Sequence, residues 1–487
     1  MSDQNVPLTV RFPHRPRRGI LLGLSLPQLL AASAAVCLLM ITVVTTGVLG
    51  ALALLPLWAS VAGVVFVRRG GRTLVDWAPI AARYLYRKWS GQRLWLARPV
   101  SRPTVEGLLH LPGTTASLRV VSPPGVEAAA LHDPRNQTLT AVAHVHGRAF
   151  ALLDPATQNT NVAAWGRALA GIARTGHIKA VQVLERTVPD SGDALARHWQ
   201  QHGAPGTPVA GEIYGELVAS AGPAAAPHEA YLVVALDLKA ARRLVSQAGG
   251  GLNGAFTVLS TTTTSISQAA RTAGLTVAGW LSGREIAAVI RTAYDPAALS
   301  RLQQWSPAGR AEADPGAAGP VVQVEESDRL ITDSAQHATY WVENWPRTET
   351  HAGFLHQLLF TAGARRAFSL IYAPQPLESA LRDVQRRKAT IIADAAERQR
   401  KGQVDSEADS LEYADAKQRE RELIAGHADV ALTGLLTLSA DTRQALDAAC
   451  ATVETAAAGS QIDLRRLTYQ QPEAFTLAAL PLARTAL

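Results

Sequence analysis

Cysteine is almost missing from this chain: Cys37 and Cys450 are the only two in 487 residues. Neither has a partner at metal-ligand spacing, which excludes a disulfide framework and a cysteine-built metal centre. No G-x-x-x-x-G-K-[ST] segment occurs, so a Walker-type phosphate loop is excluded. Gly249-Gly250-Gly251 lacks both the lysine and the G-x-G-x-x-G spacing and reads as a break between elements. No cofactor is expected from these motifs.

The most telling absence is charge. From Gly19 to Val67, 49 residues contain no Asp, Glu, Lys or Arg. A hydrocarbon core about 30 Å thick needs about 20 apolar residues per helix. The run therefore predicts a two-helix transmembrane hairpin, Leu26–Thr45 and Val48–Val67, turning tightly at Thr46-Gly47. It is too long for the apolar region of a cleavable signal peptide. Arg11, Arg15, Arg17 and Arg18 precede it, and Arg68, Arg69 and Arg72 follow it. Basic flanks on both sides predict an inner-membrane protein with both termini in the cytoplasm.

Residues 1–100 carry 12 Lys and Arg against 2 Asp and Glu; the remainder carries 35 against 38. The basic excess thus sits beside the membrane, where it suits anionic lipid headgroups. The rest has no net attraction to nucleic acid, so no direct nucleic-acid partner is expected. In 68–107, Trp77, Tyr84, Tyr86, Trp89 and Trp95 interleave with arginines, the pattern of a helix at headgroup level. Arg68, Arg69, Trp77, Tyr84 and Trp89 are its expected membrane anchors.

Beyond residue 107 the chain reads as α+β, with two α/β sandwich domains of split-βαβ, ferredoxin-like order at 108–296 and 321–487. Leu139–Val145 alternates as a strand and turns at Gly147-Arg148 into a second, Ala149–Leu153. Asn161–Arg174 has helical spacing closed by Gly176, and Ile178–Leu184 alternates again. Residues 297–320, rich in Pro, Gly and Ala, have a linker composition. In the second domain, His351–Phe360 reads as a helix. Leu377–Gly402 and Val404–Gly426 form a long charged helical hairpin, and 431–438 is a strand.

Candidate catalytic groups are few. His144 and His146 share one strand face, but no third ligand lies nearby in sequence. His351 and His356 are spaced for different helix faces. Ser282 lacks the glycine two residues before it that a nucleophile elbow requires. With Glu285 it makes a capping box instead. The run Thr261–Thr264 is the other serine/threonine cluster. The expected catalytic and metal residues are therefore none. The hairpin's apolar stripe (Leu377, Leu381, Val384, Ile391, Ile392, Ala395) leaves a mixed-charge face free. There Arg386, Arg387 and Arg398 are the candidate docking residues.

Several segments resemble a known group of proteins. The hairpin followed by Gly71-Arg72-Thr73-Leu74-Val75-Asp76-Trp77 resembles actinobacterial membrane components of conjugation-like and type VII-like secretion systems. It is similar to EccE and to the PrgI-type membrane hairpins. Trp165-Gly166 and Gln182-Val183-Leu184-Glu185-Arg186 look like that family's soluble domain. The helical pair at 377–426 and Gln470-Gln471-Pro472-Glu473-Ala474-Phe475, with Leu480-Pro481-Leu482, resemble the non-motor N-terminal part of VirB-type secretion ATPases. In those ATPases a phosphate-loop domain follows; here the sequence ends at Leu487. The resemblance implies a non-enzymatic structural subunit of such a machine that docks a separate cytoplasmic ATPase. Other membrane subunits, or a second copy of the chain, are further implied partners. The rival expectation is a membrane-tethered enzyme or sensor whose site is assembled from sequence-distant residues.

Overall fold

Along the long strands, successive side chains enter different cores. Leu139, Ala141, Ala143 and Val145 pack into one cluster while Val142 packs into another. This is the period-two alternation of a strand covered on both faces. The computed structural model describes residues 9–10, 12, 26–53, 56, 60, 63, 66–69, 72–97, 106–147, 150–188, 199, 208–221, 228–305, 311–346, 348–351, 353–361, 364–400, 407–425 and 427–485.

The fold is mixed α+β, built on a 13-stranded antiparallel sheet. Its strands are β1 (Leu94–Leu96), β2 (Arg119–Val121), β3 (Ala130–Asp133), β4 (Thr138–Gly147), β5 (Ile178–Thr187), β6 (His228–Asp237) and β7 (Leu275–Trp280). The remainder are β8 (Val322–Glu325), β9 (Leu330–Ile331), β10 (Gln336–Asn344), β11 (Arg365–Pro374), β12 (Val430–Ala440) and β13 (Asp463–Arg466). The labelled helices are α1 (Leu26–Ala53), α2 (Leu74–Trp89), α3 (Pro155–Thr175), α4 (Pro208–Ala221), α5 (Gly251–Thr272), α6 (Gly283–Tyr294), α7 (Leu377–Arg400), α8 (Glu407–Ile424), α9 (Arg443–Gly459) and α10 (Gln471–Ala478).

In the first half the strands lie in the order β7-β4-β6-β5; in the second, β13-β10-β12-β11. Each half therefore uses its four long-range strands in the same order, with a small hairpin (β2–β3, β8–β9) added beside β4 and β10 respectively. The halves meet edge to edge. β5 pairs with β11 from Ala367 opposite Arg186 to Tyr372 opposite Val181.

At that seam a polar node replaces apolar packing. Gln182, fully buried, donates from Nε2 to Ser369 Oγ (2.7 Å) and to the Leu480 carbonyl (3.1 Å), and its Oε1 accepts from Ala483 N (2.7 Å). Ser369 in turn donates to the Ala478 carbonyl at 2.7 Å. The C-terminal segment with α10 is thereby laid across both halves. One core containing Leu184, Ile290, Leu435 and Phe475 runs under it.

Local signals hold where they are local. Gly176 takes the left-handed conformation after α3 (φ 70°), and Ser282 with Glu285 forms the capping box of α6. Gly47 (φ 72°) interrupts the helical run of α1 at the expected turn. Pro27–Thr45 is the one stretch among the described residues that is long and apolar enough to cross a membrane. Met40 and Val44 on it are exposed rather than packed. Of the expected second span, Val48–Val67, residues 48–53 continue α1 and 54–55, 57–59, 61–62 and 64–65 lie outside the described residues.

Three expectations change. Phe150–Leu152 is a 3-10 turn, not a returning strand. β4 is already paired on one edge with β6 and on the other with β3 and β7, so no ladder remains for it. The helix expected over His351–Phe360 shrinks to His356–Leu359, because His351 pairs in a short strand with Thr9 and Gly353 follows at φ 99°. Within 297–320, Ala298–Trp305 is helical, and Ala313 and Ala318 are buried in the core. There a Cβ on Gly319 would meet the His110 carbonyl oxygen at 2.3 Å. Small residues in this stretch serve close packing.

Gln182→Leu tests the seam. It strands Ser369 and the Leu480 and Ala483 backbone groups in the core, at about 1–3 kcal/mol for each group left unpaired. Denaturant unfolding should show a loss of about 3 kcal/mol, and residues 471–485 should become protease-sensitive.

Candidate functional site

Two features stand out: the place where α2 meets the sheet, and the helical pair α7–α8. α2 starts at a capping box in which Thr73 Oγ1 accepts from Asp76 N (3.4 Å). Its Tyr84 ring is buried against Tyr469 at 4.9 Å, and Trp77 meets Tyr469 edge-on at 6.1 Å. Arg87 closes the contact. It bridges Glu473 Oε1 (2.5 Å) and Glu325 Oε1 (2.6 Å) and donates to the Tyr469 carbonyl (3.1 Å). The chain then enters the sheet directly as β1, paired to β8. α2 is thus fastened to the body through an arginine shared by Glu473 and Glu325.

This bears on the expected membrane anchors. Tyr84 and Trp77 pack their rings against Tyr469 of the body. Trp89, 86% exposed, with Tyr86 and Leu85, forms the outward side of α2. Arg68 and Arg69 lie in a two-residue strand, with side chains outside the described residues.

α7 and α8 run antiparallel, with Lys388 Nζ 2.8 Å from Glu420 Oε2 and a small core of Ala380, Val384 and Leu423. They pack on each other and make little contact with other elements. At their base Arg419 pairs with Asp429. Of the expected stripe, Val384 and Ile391 are buried, but Leu377 and Ile392 are 52% and 57% exposed. Leu411 and Tyr413 on α8 are exposed as well. Arg386 is exposed; Arg387 is half-buried and already engaged by a neighbour; the Arg398 side chain lies outside the described residues. The free surface of the pair is therefore more apolar than the charge pattern suggested.

The other candidates are occupied structurally. His144 and His146 do share a face, ring centroids 4.3 Å apart. No group of three metal-ligating side chains occurs among the described residues. Nearby, Arg186 holds Glu229 (2.9 Å) and the Val289 carbonyl (3.0 Å), and Tyr231 donates to the same carboxylate (2.8 Å). His228 pairs with Glu185. Thr261, Thr262 and Thr264 each bond back to a carbonyl four residues earlier in α5. No family model matches the chain, and no curated protein matches it significantly.

Burial pushes the Glu325 carboxyl up to about 7, with Arg87 opposing that rise and Glu473 adding to it. An unfolded glutamate, ordinarily near 4.5, is already ionised in this range, so folding takes up a proton and stability falls as pH rises. The stabilisation from protonated Glu325 is complete below pH 4.5 and lost on passing about 7. Melting temperatures of wild type and Glu325→Gln between pH 5 and 8 should therefore diverge, the variant gaining a few degrees on wild type at the upper end. Parallel curves would show that this carboxyl does not titrate there.

Proposed function

We propose that this chain is a non-enzymatic inner-membrane subunit of a type IV- or type VII-like secretion or conjugation machine, whose α7–α8 hairpin docks a separate VirB-type cytoplasmic ATPase. In this reading α1 and the segment after it form a two-helix membrane hairpin with both termini cytoplasmic. The two halves of the sheet are ferredoxin-like sandwiches joined at their edges. Trp89 and its neighbours meet anionic headgroups.

The observation that carries the reading is the hairpin itself. Helices draw most of their stability from packing an apolar face. This pair keeps Ile392 and Leu411 exposed beside Arg386 while touching little else in the chain. A protruding element with apolar patches inside mixed charge suits a protein partner, the charges governing specificity and rate. The membrane helix and the fastened α2 supply the tether.

Arg386→Glu, Arg387→Glu and Arg398→Glu together should leave the fold intact and weaken recovery of the ATPase from native membranes, with the difference from wild type shrinking at higher salt as the charges are screened. Wild-type recovery by a folded triple variant would make the hairpin purely structural. The membrane reading has its own check. A periplasmic phosphatase fused after Leu487 should be inactive, whereas a cytoplasmic reporter there should be active.

A further inference from the structure

Between α2 and the first half of the sheet lies a cleft of about 670 Å³. Its wall carries Arg83, Arg87, Arg135, Lys179 and Arg484 against one carboxylate, Glu473. Part of this charge is balanced from behind. Arg87 is held by Glu473 and Glu325, and Arg484 by Asp133 at 2.6 Å. Lys179 Nζ spends one donor on the Asn136 carbonyl at 3.0 Å. Arg83 and Arg135 are exposed, and neither side chain has a partner among the described residues. Two cations therefore face the cleft uncompensated, within a concave wall where fields add.

We infer that this cleft binds a phosphate group. Guanidinium forks match the oxygens of a phosphate two at a time. The Thr114 hydroxyl, whose oxygen accepts from Arg484 at 3.2 Å, keeps its own hydrogen to donate. Among the described residues no aromatic ring lines the cleft, so none of them offers a stacking surface to a nucleotide's base. That leaves phosphate carried by a small group. Arg83 lies ten residues into the helix that follows the apolar run, about 15 Å along its axis. An anionic phospholipid headgroup and a free phosphate ester offer the same chemistry at this point. The inference stands apart from the assignment to a secretion machine.

The test uses the full chain in a nonionic detergent, titrated calorimetrically with dihexanoyl-phosphatidylglycerol below its micelle threshold and separately with glycerol 3-phosphate. Both should bind if the phosphate alone is recognised; binding of the lipid only would identify the headgroup at the membrane as the source. Arg83→Ala with Arg135→Ala should weaken binding about tenfold to a hundredfold with no change in melting temperature. Lysine at both positions should restore much of it, and Arg243→Ala, at an exposed arginine outside the cleft, should change nothing. The inference is overturned if neither probe binds wild type, or if the double alanine variant, or Arg83→Gln with Arg135→Gln where the former does not fold, binds as tightly as wild type.

Discussion

Everything in the sheet depends on how two exposed strand edges are closed. Alone, β5 and β11 would each present an unpaired ladder, the feature that drives unwanted association. They are paired to each other, and the pairing is locked by Gln182 and Ser369 on the side covered by the C-terminal segment. A second buried glutamine does the same work at the other end of α10. Gln471 accepts from Thr339 N (2.9 Å) and donates to the Leu467 carbonyl (2.9 Å). Gln182 is satisfied by partners present only when the two halves are assembled, and Gln471 by partners present only when the last helix is seated on the second half. A buried amide is costly when unpaired, so the node favours one register over its neighbours.

The same body then fixes α2. Because Glu325 sits on β8 and Glu473 on α10, Arg87 reads the presence of both at once. Any motion of α2 relative to the sheet must break a charge pair in a poorly hydrated place. The α7–α8 hairpin leaves the sheet between β11 and β12, with its root beside the β5–β11 seam.

Much of this was readable where the determinants are local. The glycine after α3, the cap of α6 and the alternation of β4 each specify their own geometry within a few residues. The matching order of elements in the two halves was also legible, because the periods of strand and helix recur. Edge pairing of β5 with β11 was not, since nothing in a strand's own pattern names a partner nearly two hundred residues away. One clue was present: Gln182 interrupts the face of Ala180 and Leu184. A polar residue on a buried face signals a partnered site. Residues 297–320 misled because Ala, Gly and Pro suit linkers and tight packing equally. The carboxylate partners of Arg87 lie in the second half of the chain, where no local rule reaches.

The claim that the two halves act as one body is tested most directly by native-state hydrogen exchange of the full chain in detergent. The account predicts that the amides of Val181–Arg186, those of Ala367–Tyr372 and the helix Gln471–Ala478 open together, at one free energy and with the same denaturant dependence. If the first half opens well below the second, with Ile178–Thr187 exchanging while Arg365–Pro374 stays protected, the seam is a contact between independent domains and the account is contradicted.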